Sequence, residues 1–186
     1  MTAISSYVDA TVWRGDGYEY TLKLKDAKPV GKISKTALEK GFNTKQTGTF
    51  ISFAINPVYM SDATSMTVPF ERVDRLLKER VYLNNGLKIE LVYDGKFHKY
   101  EAKDGIAAYV KEMAGDKTIS KVAYMSTGTN TADKIQAEFA LCWTSSNGRD
   151  NTIGYCNSIR QSEGGTHVQG VRMAVPGIIR AYIQNN

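Results

Sequence analysis

The stretch Ser162-Glu163-Gly164-Gly165-Thr166-His167 joins a strand-like run at 152–159 to a helical pattern that begins near Thr166. Two consecutive glycines allow backbone conformations that are closed to other residues. Thr166 stands where an N-cap belongs, and Gln169 follows three residues later, which is the spacing of a capping box. The sequence therefore predicts a strand–turn–helix joint, which taken alone is more often a structural turn than a functional site.

The residues that follow this joint predict an amphipathic helix. Apolar side chains recur at i, i+3, i+4, i+7, i+8 and i+11, which places them on one helical face. Pro176 lies inside this helix, where it removes a backbone hydrogen bond and costs about 3 kcal/mol unless a kink is accommodated. The predicted apolar face consists of Val171, Ala174, Val175, Ile178, Ile179 and Tyr182.

Composition is that of a soluble globular protein. The chain has 186 residues, of which 42% are hydrophobic and 23% charged, enough for one large or two small domains. No apolar run approaches the roughly 20 residues that span a bilayer, and no signal peptide is visible, so we expect no membrane and a cytoplasmic location. Cys142 and Cys156 lie in strand-like runs and are expected to be buried free thiols. The net charge of +5 permits an acidic partner such as DNA but does not require one.

The first third of the chain predicts antiparallel strands. A hairpin is expected at 7–13 and 18–24, then a loop with a short strand at 27–41, and a third strand at 50–55. The strand that starts at Tyr7 has no preceding element, so we expect one of its edges to lack a partner within the chain. A polar stretch at 60–68 predicts a boundary between domains at 1–60 and 61–186.

Helices and strands occur in segregated runs after this boundary, which predicts an α+β fold. Pro69 suits the first position of a helix at 70–81 that ends at 84–86, and Asp94-Gly95 is a strong hairpin signal. The further predicted elements are strands at 87–93 and 97–102, a helix at 106–113, a strand at 122–125, a polar loop at 126–133, a long strand at 135–143, a turn at 145–150 and a strand at 152–159.

Residues 163–167, followed by Gly170 and Arg172, resemble the E/D-G-G-T-H-x-x-G-F-[RK] signature of the B subunit of bacterial type IIA DNA topoisomerases, which are DNA gyrase and topoisomerase IV. Other segments resemble the same family in the same order. They are the V-N-A-L-S segment after the ATP lid at 3–7, the T-G-T of the adenine side at 45–49, the first helix and strand of the transducer domain at 78–91, and the G-I-x-x-Y-V segment at 105–110.

The resemblance implies a fold and a reaction. Residues 1–60 would form the distal part of a GHKL-type ATPase sheet, and residues 61–186 a transducer domain with a left-handed βαβ crossover, lacking its C-terminal part. The family passes one DNA duplex through a transient break in another, driven by ATP with Mg2+. Its partners are double-stranded DNA, the remainder of the B subunit, a second B subunit and the A subunit that carries the cleavage tyrosine.

The resemblance also implies that this chain is incomplete. The family's catalytic glutamate, magnesium-binding asparagine, adenine-reading aspartate and glycine-rich phosphate lid would lie before Met1. The glutamine and lysine of the transducer loop that touches the γ-phosphate would lie after Asn186. Because such a site works by holding metal, phosphates and base in fixed geometry, we expect this polypeptide alone to hydrolyse no ATP and to bind no nucleotide tightly.

Few site residues transfer from the family. Gly48 and Thr49 would lie on the adenine side of the nucleotide pocket and Ile51 would line it, although Thr49 taken alone is an ordinary strand threonine. Arg172 matches the arginine that in the family lines the central DNA cavity. The alternative interpretation is an ordinary exposed arginine on a helix.

The signature residues Gly164, Gly165, Thr166, His167 and Gly170 are predicted to be structural. His167 has no neighbouring group in the sequence that could make it a general acid or base. We therefore predict no catalytic residue and no metal ligand in this chain.

The chain departs from the family at Ser158, where an asparagine is usual, and at Val171, where phenylalanine is usual. It is therefore a divergent member. An alternative of another class stays open, namely a stand-alone basic α+β module that binds nucleic acid or a partner protein without nucleotide. A monomeric, highly soluble chain with salt-sensitive DNA binding would favour that alternative. A self-contained enzyme is disfavoured, since no paired carboxylates or nucleophile–base set stands out.

Overall fold

A computed structural model describes residues 2–60, 68–126, 134–145 and 151–186. The chain divides into two compact units, Met1–Val68 and Pro69–Asn186. The predicted limits 1–60 and 61–186, as limits of an ATPase part and a transducer part, stay predictions.

The first unit is a five-stranded antiparallel sheet. Short 3-10 helices at Thr2–Ile4 and Pro57–Tyr59 flank it. The strand order is β3-β2-β1-β5, and β4 also pairs with β2. The strands are β1 (Ser5–Arg14), β2 (Tyr18–Lys25), β3 (Lys28–Pro29), β4 (Ser34–Ala37) and β5 (Thr47–Ile55).

The β1 strand is central in this sheet. Tyr7 pairs with Lys25 of β2 on one side and with Ala54 of β5 on the other. The prediction that one edge of this strand would lack a partner is therefore wrong. Local alternation identifies a strand but carries no information on which distant strand pairs with it, and here the second partner comes from later in the same chain.

The two faces of the sheet differ in polarity. Opposed residues of antiparallel strands share a face, so Val8 and Phe53 lie on one face, and Thr11 and Thr21 lie on the other. Val8 is 6% exposed, whereas Phe53 is 44% exposed. On the polar face the hydroxyls of Thr11 and Thr21 are hydrogen-bonded at 3.0 Å. The apolar face is thus buried at its centre and exposed toward the β5 edge.

The second unit alternates helices with pairs of antiparallel strands. A 3-10 helix at Gly115–Lys117 follows the second helix. The helices are α1 (Phe70–Leu83), α2 (Gly105–Ala114) and α3 (Thr166–Asn185). The paired strands are β6 (Lys88–Tyr93) with β7 (Lys96–Glu101), β8 (Ala123–Ser126) with β9 (Glu138–Leu141), and β10 (Gly154–Cys156) with β11 (Ile159–Gln161).

The core of the second unit lies between α1 and the β6–β7 hairpin. Val81, Tyr100 and Ala102 are buried there. α1 begins at Phe70 with Pro69 at its N-cap position, so the prediction of Pro69 at the first helical position is wrong by one residue. Around this core pack the partly buried residues Leu77, Tyr82, Ile89 and Leu91.

Two predicted strands differ from those in the structure. The alternation at 135–143 predicts one long strand, but only Glu138–Leu141 forms it. The run at 152–159 predicts one strand, but the chain reverses at Asn157 and Ser158, whose φ angles are 49° and 63°. Positive φ at two successive residues is the geometry of a tight hairpin turn. The sequence pattern did not predict this turn, because serine is not a residue that typically adopts a positive φ.

The α+β class is confirmed by these antiparallel strands and separate helices. A βαβ crossover needs two parallel strands, and every strand pairing among the described residues is antiparallel. The left-handed crossover therefore stays a prediction. Most of the predicted loop at 126–133 and turn at 145–150 lies outside the described residues.

The sequence also leads to predictions about membrane spans and about the two cysteines. Among the described residues, no helix is long and apolar enough to cross a membrane. Both cysteines are free, as predicted. Cys142 is half-buried, whereas Cys156 is exposed at the turn end of β10, so the burial predicted for Cys156 is wrong.

Asp74 of α1 links the helix to β7. Its carboxylate accepts a hydrogen bond from the Tyr100 hydroxyl at 2.9 Å and lies 3.0 Å from Lys78 Nζ. Burial raises the pKa of Asp74, but the hydrogen bonds from Lys78 and Tyr100 outweigh it, so the pKa is lowered. The bond to Asp74 in turn raises the pKa of Lys78.

We predict that Asp74→Asn lowers the free energy of unfolding by about 1 kcal/mol at neutral pH. Because the folded-state pKa of Asp74 is depressed, its contribution is present above the unfolded pKa of about 3.9 and is lost as pH falls through the folded pKa. In urea denaturation, the difference in the free energy of unfolding between the parent chain and Asp74→Asn should decrease from neutral to acid pH. Glu71→Gln, at an exposed position of the same helix, is the control, and a difference independent of pH would contradict the prediction.

Candidate functional site

The signature segment lies between β11 and α3, and its two glycines are needed for different reasons. Gly164 has φ of 77°, a conformation that residues with a side chain rarely adopt. Gly165 has φ of 162°, which is extended backbone open to any residue. A methyl group at Gly165, however, would lie 2.8 Å from His167 Cε1. The first glycine therefore provides backbone conformation, whereas a side chain at the second would require the exposed imidazole of His167 to move.

The helix start differs from the predicted capping box. α3 begins at Thr166, with Gly165 at the N-cap position and no side-chain cap hydrogen bond. The prediction of Thr166 as N-cap is therefore wrong by one residue. The Gln169 N–H donates to the Gly165 carbonyl at 3.0 Å, so backbone alone makes this first turn. A glycine is tolerated as an N-cap at a cost of only a few tenths of a kcal/mol relative to a polar residue.

The first turn of α3 packs directly on β10. A methyl group at Gly154 would lie 2.4 Å from Val168 Cγ2 and 2.7 Å from His167 Nε2. Val168 is 6% exposed, and Gly154 is buried. The structural role predicted for His167 stays a prediction, and its side chain is exposed. Gly154 was missed at the level of sequence, although an isolated glycine in a strand pattern is a known signal of close approach.

The apolar face predicted for α3 is mostly exposed in this chain. Val171 and Val175 are half-buried. Further along, Ile178 is 68% exposed and Tyr182 is also 68% exposed. Arg172 is exposed on the second turn, where the helix is still close to its packed end.

Polar contacts fix the β10–β11 hairpin to α1. The Arg80 guanidinium donates a hydrogen bond to the Ser158 carbonyl. Asn84 Nδ2 lies 3.4 Å from the Ser158 hydroxyl, and an Arg160 nitrogen lies 3.7 Å from a Glu79 carboxylate oxygen. The turn that sequence alternation missed is therefore the point where α1 holds the hairpin.

A cluster of tyrosines lies beside these contacts. The rings of Tyr82 and Tyr109 are stacked with centroids 5.0 Å apart, and the hydroxyls of Tyr109 and Tyr155 are 3.4 Å apart. Burial, together with the hydrogen bond to Glu112, raises the pKa of Tyr82 to about 12. Burial also raises the pKa of Tyr155, with the Tyr109 hydroxyl adding to it. The phenols of Tyr82 and Tyr155 therefore stay protonated at neutral pH, and the Tyr82 hydroxyl donates to Glu112.

The residues predicted to face a nucleotide lie on β5 in the first unit. Gly48 pairs with Trp13, Thr49 with Val12, and Ile51 with Ala10 of β1. Alternation puts the side chains of Thr49 and Ile51 on the same face, and Ile51 is 51% exposed. A methyl group at Gly48 would lie 3.7 Å from the Trp13 ring, an ordinary contact, so packing alone does not require glycine there.

An aromatic–cationic cluster, which no sequence pattern predicted, lies in the same row of side chains as Thr49. The Arg14 guanidinium lies 4.9 Å from the centroid of the Tyr20 ring, and Lys35 Nζ lies 5.5 Å from it. The Tyr20 hydroxyl donates to Asp16 at 2.6 Å, which lowers the pKa of Asp16. Across the sheet the row consists of Thr49, Val12, Tyr20 and Lys35.

A cavity of about 980 Å³ lies in the second unit, between α2, the end of α1 and the β8–β9 pair. None of the predicted site residues line it. Among the described residues, no group of three or more His, Cys, Asp and Glu could hold a metal. The charged residues that line the cavity are Asp104, Lys111, Glu112, Asp116 and Glu138.

We predict opposite effects for two glycine substitutions near this joint. Gly154→Ala should destabilise the chain by about 1–3 kcal/mol, because the new methyl group overlaps Val168 and His167. Gly170→Ala should stabilise it by about 0.5–1 kcal/mol, because Gly170 lies inside α3 with nothing within 4 Å of the added methyl group. Urea denaturation measures both. Equal effects of the two substitutions would contradict the close packing of α3 on β10.

Comparison with known sequences finds gyrase and topoisomerase IV B subunits. A family model described as DNA gyrase B matches residues 105–186. The DNA gyrase B subunit of Spiroplasma citri is 30% identical over 194 residues, covering 100% of this chain and 28% of that protein. The DNA topoisomerase 4 B subunit of Bacillus subtilis is 29% identical, covering 98% of this chain and 26% of that protein. The chain thus spans well under half the length of these relatives.

Comparison with solved structures finds the same class of protein. The 43K ATPase domain of Thermus thermophilus gyrase B, in complex with an aminocoumarin, matches 99% of this chain and 48% of its own, with a TM-score of 0.80 and 20% identity. The topoisomerase IV ATP-binding domain of Francisella tularensis matches 100% of this chain and 48% of its own, with a TM-score of 0.75 and 24% identity. These likenesses confirm the predicted GHKL-type fold. The sequence relatives, which cover all or nearly all of this chain, confirm the predicted resemblance to the B subunits of DNA gyrase and topoisomerase IV.

Proposed function

We propose that this chain is the segment of a type IIA DNA topoisomerase B subunit that couples ATP binding and dimerisation to the passage of a DNA duplex. The observation that carries the proposal is that one ATPase-domain structure matches 99% of the chain, across both units. The sequence relatives cover the chain to a similar extent and are gyrase and topoisomerase IV subunits. A module that only binds nucleic acid would not need to share the order of its sheet, helices and signature turn with these ATPase-domain proteins.

In this function Gly48, Thr49 and Ile51 contribute the adenine side of a nucleotide pocket. The exposure of Ile51 and its position on the same face as Thr49 support this role, since an apolar side chain beside a hydroxyl suits a base edge. ATP and Mg2+ bind in the complete enzyme. The catalytic and metal-binding groups come from the remainder of the B subunit, so this chain alone is inactive.

Arg172 contributes to the surface that faces DNA. It is exposed on α3, a helix whose sequence contains no acidic residue. Together with the net charge of +5, this favours a phosphate contact that is independent of sequence and sensitive to salt. The other partners are a second B subunit and the A subunit, in the cytoplasm.

One observation favours the alternative function of a stand-alone basic module. The central strand β1 has partners on both sides within the chain, so the sheet forms its main pairings without another polypeptide. A module of this kind would bind nucleic acid or a protein but not ATP. Nucleotide binding therefore separates the two functions.

We predict that a non-hydrolysable ATP analogue binds only when the chain is mixed with the part of a gyrase B protein that carries the phosphate lid and catalytic glutamate. Titration calorimetry of the chain alone and of the mixture is the measurement. Thr49→Val should weaken binding in the mixture by up to about tenfold, since it removes one hydrogen bond at nearly constant shape. Binding by the chain alone would contradict the expected division of the site, and no binding in either case would favour the stand-alone module.

We predict that Arg172→Ala weakens binding to duplex DNA and lowers the slope of log K against log salt by about 1. The charge-preserving variant Arg172→Lys should keep the slope, because a phosphate contact needs a cation and not a particular side-chain shape. Fluorescence anisotropy at several salt concentrations measures both slopes. An unchanged slope in Arg172→Ala would exclude Arg172 from the DNA-facing surface.

A further inference from the structure

Helix α3 packs against the rest of its unit mainly through its first turn. Among its described residues Val168 alone is buried, and the exposed fractions of Ile178 and Tyr182 show that the far end has little packing. The direction of the helix therefore depends on what holds Val168 and His167. That support is the β10–β11 hairpin, through the close approach at Gly154.

The hairpin is in turn held by α1, and the strongest of the contacts between them comes from Arg80. The Arg80 guanidinium donates to the Ser158 carbonyl, a charge-assisted hydrogen bond of the stronger class. Ser158 has φ of 63°, a conformation that a hairpin turn imposes on its residues. Asn84 supports the same place, since its amide donates to the Arg80 carbonyl at 2.9 Å and lies 3.4 Å from the Ser158 hydroxyl.

The other contacts to the hairpin are weaker. The Glu79–Arg160 pair is separated by 3.7 Å, and the Arg160 side chain is 49% exposed, so solvent screens it. The hydroxyls of Tyr109 and Tyr155 lie 3.4 Å apart, at the long end of hydrogen bonding. We therefore expect the loss of the Arg80 hydrogen bond to release the hairpin turn from α1, more than the loss of either other contact.

We propose that Arg80 is a positioning residue for α3: by holding the Ser158 turn against α1, it fixes the direction in which α3 projects. The path runs from Arg80 through the hairpin backbone to Gly154, and from there to the first turn of the helix. Arg172 lies one turn further along α3. On the proposed function, on which this last step rests, Arg80 therefore determines how Arg172 is presented to DNA.

The first test measures the direction of α3 without DNA. Spin labels at Glu71→Cys on α1 and Met173→Cys on α3, both exposed positions, report a distance distribution by electron paramagnetic resonance once Cys142 and Cys156 are replaced by serine. Arg80→Met keeps the apolar stem of the side chain but removes its charge and its donors. We expect Arg80→Met to broaden the distribution or to shift its mean by several ångströms, and Arg80→Lys to restore it in part.

The matched control is Arg72→Met, which removes a cation from an exposed position of the same helix. It should leave the distribution unchanged. Unchanged distances in Arg80→Met, with circular dichroism showing a folded chain, would overturn the proposal. If Arg80→Met fails to fold, Arg80→Lys with its shorter reach gives the intermediate case, and a distribution identical to that of the parent would likewise overturn it.

The second test measures DNA affinity in a double-mutant cycle. If Arg80 acts through α3, Arg80→Met should weaken binding to a duplex by about as much as Arg172→Ala, roughly fivefold at low salt. The double variant should then be no weaker than Arg172→Ala alone, because coupled residues are not additive. Additive losses would contradict the path through α3. A parent chain that binds no DNA would overturn the function proposed for Arg172, and the distance measurement alone would then decide the positioning role of Arg80.

Discussion

The placement of α3 in the second unit depends on the absence of a side chain at Gly154. The first turn of α3 reaches the backbone of β10 so closely that a single methyl group would overlap Val168 and His167. Among the described residues of α3, Val168 is the one that is buried, so this contact determines the position of the helix start. The glycines at 164 and 165 lie in the turn that connects β11 to it. Val168, which directly follows the histidine of the signature segment, is the buried side chain of this contact, whereas His167 itself stays exposed.

Prediction from sequence succeeds where a pattern is local. The helix at Phe70–Leu83 and the hairpin around Asp94 are confirmed because apolar periodicity and a two-residue turn are each encoded within a few neighbouring positions. It fails where partners are distant, as at Tyr7, whose second strand partner comes from β5. It also fails at Ser158, whose positive φ follows from the hairpin and the contacts around it more than from its own preference.

The candidate site shows the same division. Gly48, Thr49, Ile51 and Arg172 could be named only because the chain resembles a family; nothing in their local pattern distinguishes them from ordinary strand and helix residues. Arg80 and Gly154 were missed because their importance lies in contacts between elements far apart in sequence. The aromatic–cationic cluster at Tyr20 was missed for the same reason, since only strand pairing brings Lys35 beside it.

The modest amount of apolar surface that the described residues bury has a consequence for calorimetry. The heat-capacity change of unfolding scales with the apolar area that becomes exposed. Among the described residues the buried apolar side chains are few, while Phe53 and Ile178 already face solvent. The isolated chain should therefore have a shallow stability curve, with a small unfolding enthalpy that varies little with temperature. Its melting transition should accordingly be broader than that of a compact domain of the same length.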